Sequence, residues 1–193
     1  MEKKEIFLKS KSANKSLHWI FTPLRPAGEG YMGQLCRIWE DEALSWEQLG
    51  IRVVINRIGL VLAANGGVLD MIKNPIKKGV SSYFGNGKQM YPWIHIDDLC
   101  GMIMHEAESK SIKGTFNAAA PNSLNQRKFT KAVVKVLNKK FIAITLPKFI
   151  LKLMMGERSG VLVDSFHLSA EKIQKEGYLF QYSTLDIALS DLL

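Results

Sequence analysis

The residues best placed to grip a ligand are glycines. Gly28-Glu29-Gly30-Tyr31-Met32-Gly33 matches by letters the turn that holds a dinucleotide, and a helical pattern follows it. Such a turn works when a strand ends directly at its first glycine, aiming the amides of the next helix at the pyrophosphate. Here Pro23-Leu24-Arg25-Pro26-Ala27 stands in between, and Glu29 adds a negative charge beside the phosphates. If the turn did function, the next strand would end at Asn56-Arg57, where an arginine suits a 2′-phosphate. One reading is therefore a compact NADP-binding oxidoreductase that uses Gly28 to Gly33 and Arg57.

Other chemistries find less support. His95 and His105 with Glu106 lack metal-ligand spacing, and no His-Glu-x-x-His occurs, so no metal is expected. Ser169-Ala170-Glu171-Lys172 has the letters of Ser-x-x-Lys, but it falls at a helix start, where serine is a common cap. There is no Gly-x-Ser-x-Gly elbow. Gly156-Glu157-Arg158-Ser159-Gly160 lacks the Lys-Ser/Thr ending of a phosphate loop.

These residues need elements to hold them. Leu35, Ile38, Trp39, Leu44, Trp46 and Leu49 recur at helical spacing from Gly33 to Leu49, and Gly50 ends the pattern. Ile51 to Ile55 reads as a strand and Val68 to Lys73 as a helix that Asn74-Pro75 should stop or kink. Trp93 to Ile96 is a short strand, and Asp97 or Asp98 should cap a helix running to about Glu108. Gly114 to Ala118 is another strand. Asn125 caps a helix whose apolar face is Phe129, Val133, Val136 and Leu137. Strand and helix alternate, which predicts a parallel α/β sheet. After Leu146 the strand signal fades. Helices are expected over Pro147 to Met155, Ser169 to Glu176 with Gly177 as the stop, and Thr184 to Leu193.

Four pieces occur in order: Arg57-Ile58-Gly59-Leu60-Val61-Leu62, Gly85-Asn86-Gly87-Lys88-Gln89, Trp93-Ile94-His95-Ile96-Asp97-Asp98-Leu99 and Gly114-Thr115-Phe116-Asn117. Together they resemble the C-terminal half of the extended short-chain dehydrogenase/reductases, the nucleotide-sugar epimerases and dehydratases. The likeness is greatest to the atypical epimerase group whose chains end in a small domain of unknown function. Gly33 to Glu40, Met154-Met155-Gly156-Glu157 and Gly177-Tyr178-Leu179-Phe180 are similar to that group as well, so the resemblance covers roughly Glu29 to Leu193.

The resemblance implies a partial Rossmann-like, doubly wound parallel sheet holding the later strands, with a small, mostly helical C-terminal lobe. It implies NAD or NADP as cofactor and a sugar-nucleotide-like small molecule as substrate. Arg57, Ile58 and Gly59 would lie against the nicotinamide end, with a glycine allowing close backbone approach. Gly85, Gln89, Trp93, His95 and Asn117 would form the substrate side; Gln89 can donate and accept, and Trp93 can stack on a sugar face. For Trp93 and His95 the alternative is core packing with one satisfied polar atom. The family's Tyr-x-x-x-Lys proton-transfer pair is absent: residues 35, 87, 95, 182 and 186, four after Tyr31, Tyr83, Tyr91, Tyr178 and Tyr182, are Leu, Gly, His, Tyr and Asp. No catalytic residue is assigned. The first strands and phosphate loop should precede about residue 20, and Met1 to Phe21 do not resemble the family. A truncated or frame-shifted reading frame is the expectation, with the chain alone binding neither cofactor tightly.

The division expected is an irregular segment over 1–30, a substrate-side α/β domain over 31–146 and a helical domain over 147–193. No apolar run reaches the roughly 18 residues of a membrane span, and no signal-peptide block opens the chain. Two cysteines, Cys36 and Cys100, build no disulfide framework, so a cytoplasmic setting is expected. The net charge is +8, but the lysines are scattered in pairs, which fits a solvated surface better than a nucleic-acid groove. A sheet lacking strands leaves an open edge, through which the chain could self-associate as a homo-oligomer or pair with another chain.

Overall fold

A computed structural model describes residues 20–21, 31–147, 149–150, 153, 165 and 167–193. Its elements in order are β1 (Ile20–Phe21), α1 (Tyr31–Ser45) with a 3-10 turn over Trp46–Leu49, β2 (Val54–Ile58), β3 (Leu60–Leu62), α2 (Gly67–Lys77), β4 (Val80–Phe84), β5 (Met90–Tyr91) and β6 (Trp93–His95). Then come α3 (Ile96–Glu108), β7 (Gly114–Ala118), β8 (Leu124–Asn125), α4 (Gln126–Leu137), β9 (Ile142–Leu146), β10 (His167–Leu168), α5 (Glu171–Lys175) and α6 (Leu185–Leu192).

The expected parallel pairing is present. β2 runs beside β7 in register from Val54 opposite Gly114 to Ile58 opposite Ala118. One residue later the same strand changes partner, and β3 pairs in parallel with β6, Leu60 opposite Trp93 and Leu62 opposite His95. β4 and β9 form a further parallel pair, as do β1 and β10. Among the described residues the one antiparallel pair is short, Met90 opposite Asn125 and Tyr91 opposite Leu124.

Both faces of β6 are covered, as in a parallel sheet flanked by helices, whereas β9 is exposed along most of its length. Side chains alternate along a strand, so Trp93 enters one core, with Leu62, Leu69, Phe129, Val133 and Leu189, while Ile94 enters the other, with Met102, Ile112, Phe116 and Ile173. The helices α2, α4 and α6 supply the first core, and α3 and α5 the second.

Several local expectations shift for identifiable reasons. The strand expected over Ile51 to Ile55 begins at Val54. Arg52 instead extends its guanidinium to the carbonyls of Glu106 at 3.0 Å, Ile112 at 2.9 Å and Ala107 at 3.2 Å. The helix expected to stop at Asn74-Pro75 runs to Lys77. Pro75 sits in the last turn, so it forfeits one amide bond, while Lys78 N and Gly79 N close on the carbonyls of Pro75 and Ile76 and Ile76 is fully buried. Asp97 and Asp98 do not cap α3. His95 does, its Nδ1 accepting from Asp97 N at 3.1 Å. Asn125 does cap α4, accepting from Lys128 N at 2.9 Å. In the tail α5 is shorter than expected, Gly177 follows it at φ 91°, and α6 lies where a last helix was expected. Phe149, Ile150 and Leu153 are helical and Pro147 is not; the other residues of the helix expected over Pro147 to Met155, and all of segment 1–30 except Ile20 and Phe21, lie outside the described residues.

Candidate functional site

In open α/β sheets, ligands bind beyond the C-terminal ends of the strands. Here that region is built around Gly59, where the strand leaves β7 for β6. Gly59 N donates to Ala118 O at 3.0 Å, and Leu60 N donates to Pro92 O at 2.7 Å. A Cβ on Gly59 would lie 2.5 Å from the Pro92 carbonyl oxygen, so only glycine lets the three segments meet. Ile58 beside it is exposed. Arg57 stands opposite Asn117 across the ladder. Its guanidinium grips Glu40 of α1 twice, Nε to Oε1 and a terminal nitrogen to Oε2, each at 2.7 Å. That bond raises the Arg57 pKa further. Asn117 is buried, and its Nδ2 donates to Ser169 O at 3.2 Å. The fold thus gathers Arg57, Ile58, Gly59 and Asn117.

A second group forms at the turn after β4. Gly85 and Gly87 take φ of 57° and 66°, which glycine tolerates. Gln89 is buried; its Nε2 donates to Phe84 O at 3.1 Å and to Gln126 Oε1 at 2.9 Å. Gln126 Oε1 also accepts from Phe84 N at 2.9 Å. This amide pair fixes the turn against α4. Next to it is a cavity of about 130 Å³ between α2 and β4, whose walls include Leu60, Ile72, Ser81, Ser82, Phe84 and Tyr91. Burial pushes the Tyr91 hydroxyl well above the ordinary tyrosine range.

Trp93 and His95 lie in the floor. Trp93 is fully buried, and its Nε1 donates to Asn122 O at 3.1 Å. His95 is buried beneath Tyr182, ring to ring at 3.7 Å and 16°. Both therefore take the packing arrangement. Because His95 Nδ1 accepts the Asp97 amide, the neutral ring carries its proton on Nε2, 3.3 Å from Asp191 Oδ2. His95, Asp97 and Asp191 cluster closely enough for a cation, yet the imidazole has no lone pair to offer it without losing the cap.

Sequence reasoning missed two buried polar centres. Asp98 accepts from Gln181 N at 2.8 Å, Tyr182 N at 2.9 Å and the Tyr178 hydroxyl at 3.1 Å, fastening the tail over α3. Glu106 is buried against β2, its Oε2 accepting from Asn56 Nδ2 at 2.5 Å, and burial raises its pKa. Lys172 donates to Thr115 O at 2.7 Å and lies over the Phe116 ring; burial lowers its pKa. These partners are 50 or more residues apart, and no local pattern announces them. For the dinucleotide fingerprint, Gly33 falls inside α1, and Gly28 and Gly30 lie outside the described residues.

Residues 146–192 match a family model described as a domain of unknown function, DUF1731. The chain is 36% identical over 163 residues to an epimerase family protein of Staphylococcus aureus strain N315, a match covering 84% of this chain and 54% of the relative. It is 35% identical over 162 residues to one from Staphylococcus saprophyticus, with the same coverage. It thus spans about half the length of these curated relatives. Among solved structures it is similar to human epimerase family protein SDR39U1, isoform 2, determined with NADPH, at TM-score 0.77 and 26% identity, covering 93% of this chain and 61% of that one. The UDP-glucose 4-epimerase of Thermus thermophilus, determined with NAD, shares the fold at TM-score 0.66 and 17% identity, over 82% of this chain and 51% of that one.

Proposed function

We propose, of a chain that is a relative of the epimerase family proteins and an atypical extended short-chain dehydrogenase/reductase with their C-terminal domain of unknown function, that it forms the substrate side of an NAD(P)-dependent nucleoside-diphosphate-sugar epimerase-like protein. The observation that carries this reading is the cavity between α2 and β4. Leu60, the residue after Gly59, lines it, so it opens beside the point where the strand changes partner. About 130 Å³ is the scale of one six-membered ring, so the cavity takes the base or sugar end of the substrate and not the whole molecule.

In this reading Gly85 and Gln89 shape the wall, the first by its turn and the second through Gln126. Trp93 and His95 hold the floor, and Asn117 positions the tail through Ser169. Arg57, Ile58 and Gly59 form the shelf for the nicotinamide end. The exposed Ile58 and the close approach at Gly59 suit a flat ring; Arg57, already paired with Glu40, supports the shelf and does not grip phosphate. When bound, NAD or NADP supplies hydride transfer. The chain alone holds neither cofactor tightly and is not competent for turnover by itself. Residues 31–146 act as the substrate domain, residues 147–193 as the lobe that closes it, and residues 1–30 as an irregular lead. The setting is cytoplasmic; among the described residues no helix is long and apolar enough to cross a membrane.

A second reading draws on the edge of β2, which among the described residues pairs with β7 alone: a non-enzymatic module that associates through that edge, with itself or with another chain. A third, the compact NADP-binding oxidoreductase, needs Gly28 to Gly33 to grip a pyrophosphate. Saturation-transfer NMR with UDP-glucose separates the first from the others. Transfer to the ligand from the chain, lost on Ser82→Trp, which fills the cavity, is the expected result. Transfer unaffected by the substitution, or none, contradicts it.

A further inference from the structure

We propose that the solvent face of α4, with the lysines at the start of β4 and β9, forms a docking surface for an anionic lipid bilayer. The proposal rests on the placement of charge and is independent of the substrate reading.

Lysines that stand in scattered pairs along the sequence come together in the fold. α4 turns Phe129 and Val133 into the core. Lys128, Lys131 and Lys135, three and four positions apart, share its exposed face. After α4 the chain turns at Asn138, φ 49°, and passes through Lys139 and Lys140 into β9. The parallel register of Val80 opposite Ile142 brings this pair to the same end of the ladder as Lys77 and Lys78. All seven lysines are exposed. Among the described residues none of them makes an ion pair, whereas Lys73 and Lys175 each pair with a carboxylate of their own helix.

In the free chain this arrangement carries a cost. Lys131 and Lys135 lie one turn apart on the same face and repel each other. α4 has no acidic residue, and Arg127 and Lys128 occupy its first turn, where the helix dipole favours negative charge. Arg127 is committed within the fold: its Nε donates to Asn86 O at 2.8 Å, and its guanidinium lies 4.7 Å from the centre of the Tyr83 ring. The lysines have no such internal role among the described residues. A negatively charged partner relieves all of these repulsions together.

Shape and neighbours choose that partner. α4 packs between α2 and α6, so it offers a convex face and not a groove. Single-stranded nucleic acid is held along a groove with aromatic rings on which bases stack. Here Phe129 of α4 and Tyr83 beneath Arg127 are buried. The free cations are lysines, point charges without the planar fork that reads bases or grips a phosphate in two places. Between the two lysine pairs the cross-strand partners Val80 and Ile142 are 39% and 73% exposed. Aliphatic side chains set among lysines suit the boundary between headgroups and acyl chains. A cluster of this size matches those that hold proteins to anionic leaflets.

The test is co-sedimentation of the full chain with vesicles. Binding is expected to phosphatidylcholine vesicles carrying about 30% phosphatidylserine, and not to phosphatidylcholine alone. It should be present at ~0.1 M salt and lost at ~1 M. Lys131→Glu combined with Lys135→Glu should weaken it at least about tenfold with unchanged circular dichroism. Lys110→Glu combined with Lys113→Glu makes the same change in net charge in the loop after α3, and should weaken it less than about twofold. No binding, equal binding to neutral vesicles, or equal weakening by the two pairs would each overturn the proposal. Tighter binding to duplex DNA than to the vesicles at the same salt, lost with Lys131→Glu and Lys135→Glu, would overturn it in favour of nucleic acid.

Discussion

Asp98 and Tyr182 are 84 positions apart, and the Tyr182 amide donates to Asp98 Oδ2 at 2.9 Å. With Gln181 N on Oδ1, this bond stitches the C-terminal lobe to the first turn of α3 and places the Tyr182 ring over His95. Two backbone donors lose their partner if the carboxylate is removed, at about 1–3 kcal/mol each. Asp98→Ala is expected to lower stability by about 3 kcal/mol, and Asp98→Asn by less, as read from urea midpoints. A change under about 0.5 kcal/mol would contradict the stitching role.

Glu106 gives stability a pH dependence. Burial lifts its folded pKa above the ordinary glutamate value of about 4.3, opposed by the Asn56 bond and by His105, Arg52 and Lys172. The folded chain therefore holds this proton more tightly than the unfolded chain. Its contribution is fully present below the unfolded pKa and is lost as pH rises through the folded one. Urea titrations at pH 4 and pH 8 should show that Glu106→Gln gains stability relative to the parent chain at the higher pH. Equal differences at both values would count against a buried, proton-holding Glu106.

Gly59→Ala forces a Cβ against a backbone oxygen at 2.5 Å, and backbone cannot swing aside as a side chain would. Overpacking of this sort costs about 1–3 kcal/mol. The melting temperature should fall, and the UDP-glucose signal should fall with it, because the strand switch and the cavity share Leu60. A variant as stable as the parent would mean that the three segments do not meet as described.

Arg57 and Glu40 are coupled bidentately but partly open to solvent. A double-mutant cycle with Arg57→Ala and Glu40→Ala should give a coupling of about 0.5–1 kcal/mol, discounted for that exposure and reduced by salt. A coupling of zero would free Arg57 for a ligand and favour the NADP reading.

Much of the fold was legible because its signals are local. The strand at Gly114, the Asn125 cap and the apolar stripe of α4 each follow from neighbours in sequence. β4 escaped because Ser81 and Tyr83 face inward while Val80 faces out, the reverse of the usual alternation. β9 escaped because Ile142 to Leu146 reads as one part of a longer apolar run. The site was legible less evenly. Gly59 follows from its neighbours, but the cap on α3 did not. Asp98 looks like a helix cap until its true partners arrive from the tail, and His95 takes the cap because the carboxylates beside it are committed elsewhere or exposed. Long-range polar pairing leaves no spacing to read.

The central claim is that the chain presents a substrate surface without a working cofactor grip. Calorimetric titration of the full chain with UDP-glucose and, separately, with NADPH tests it most directly. The account predicts measurable UDP-glucose binding and no tight NADPH binding. Micromolar NADPH affinity, with no heat from UDP-glucose, would contradict it.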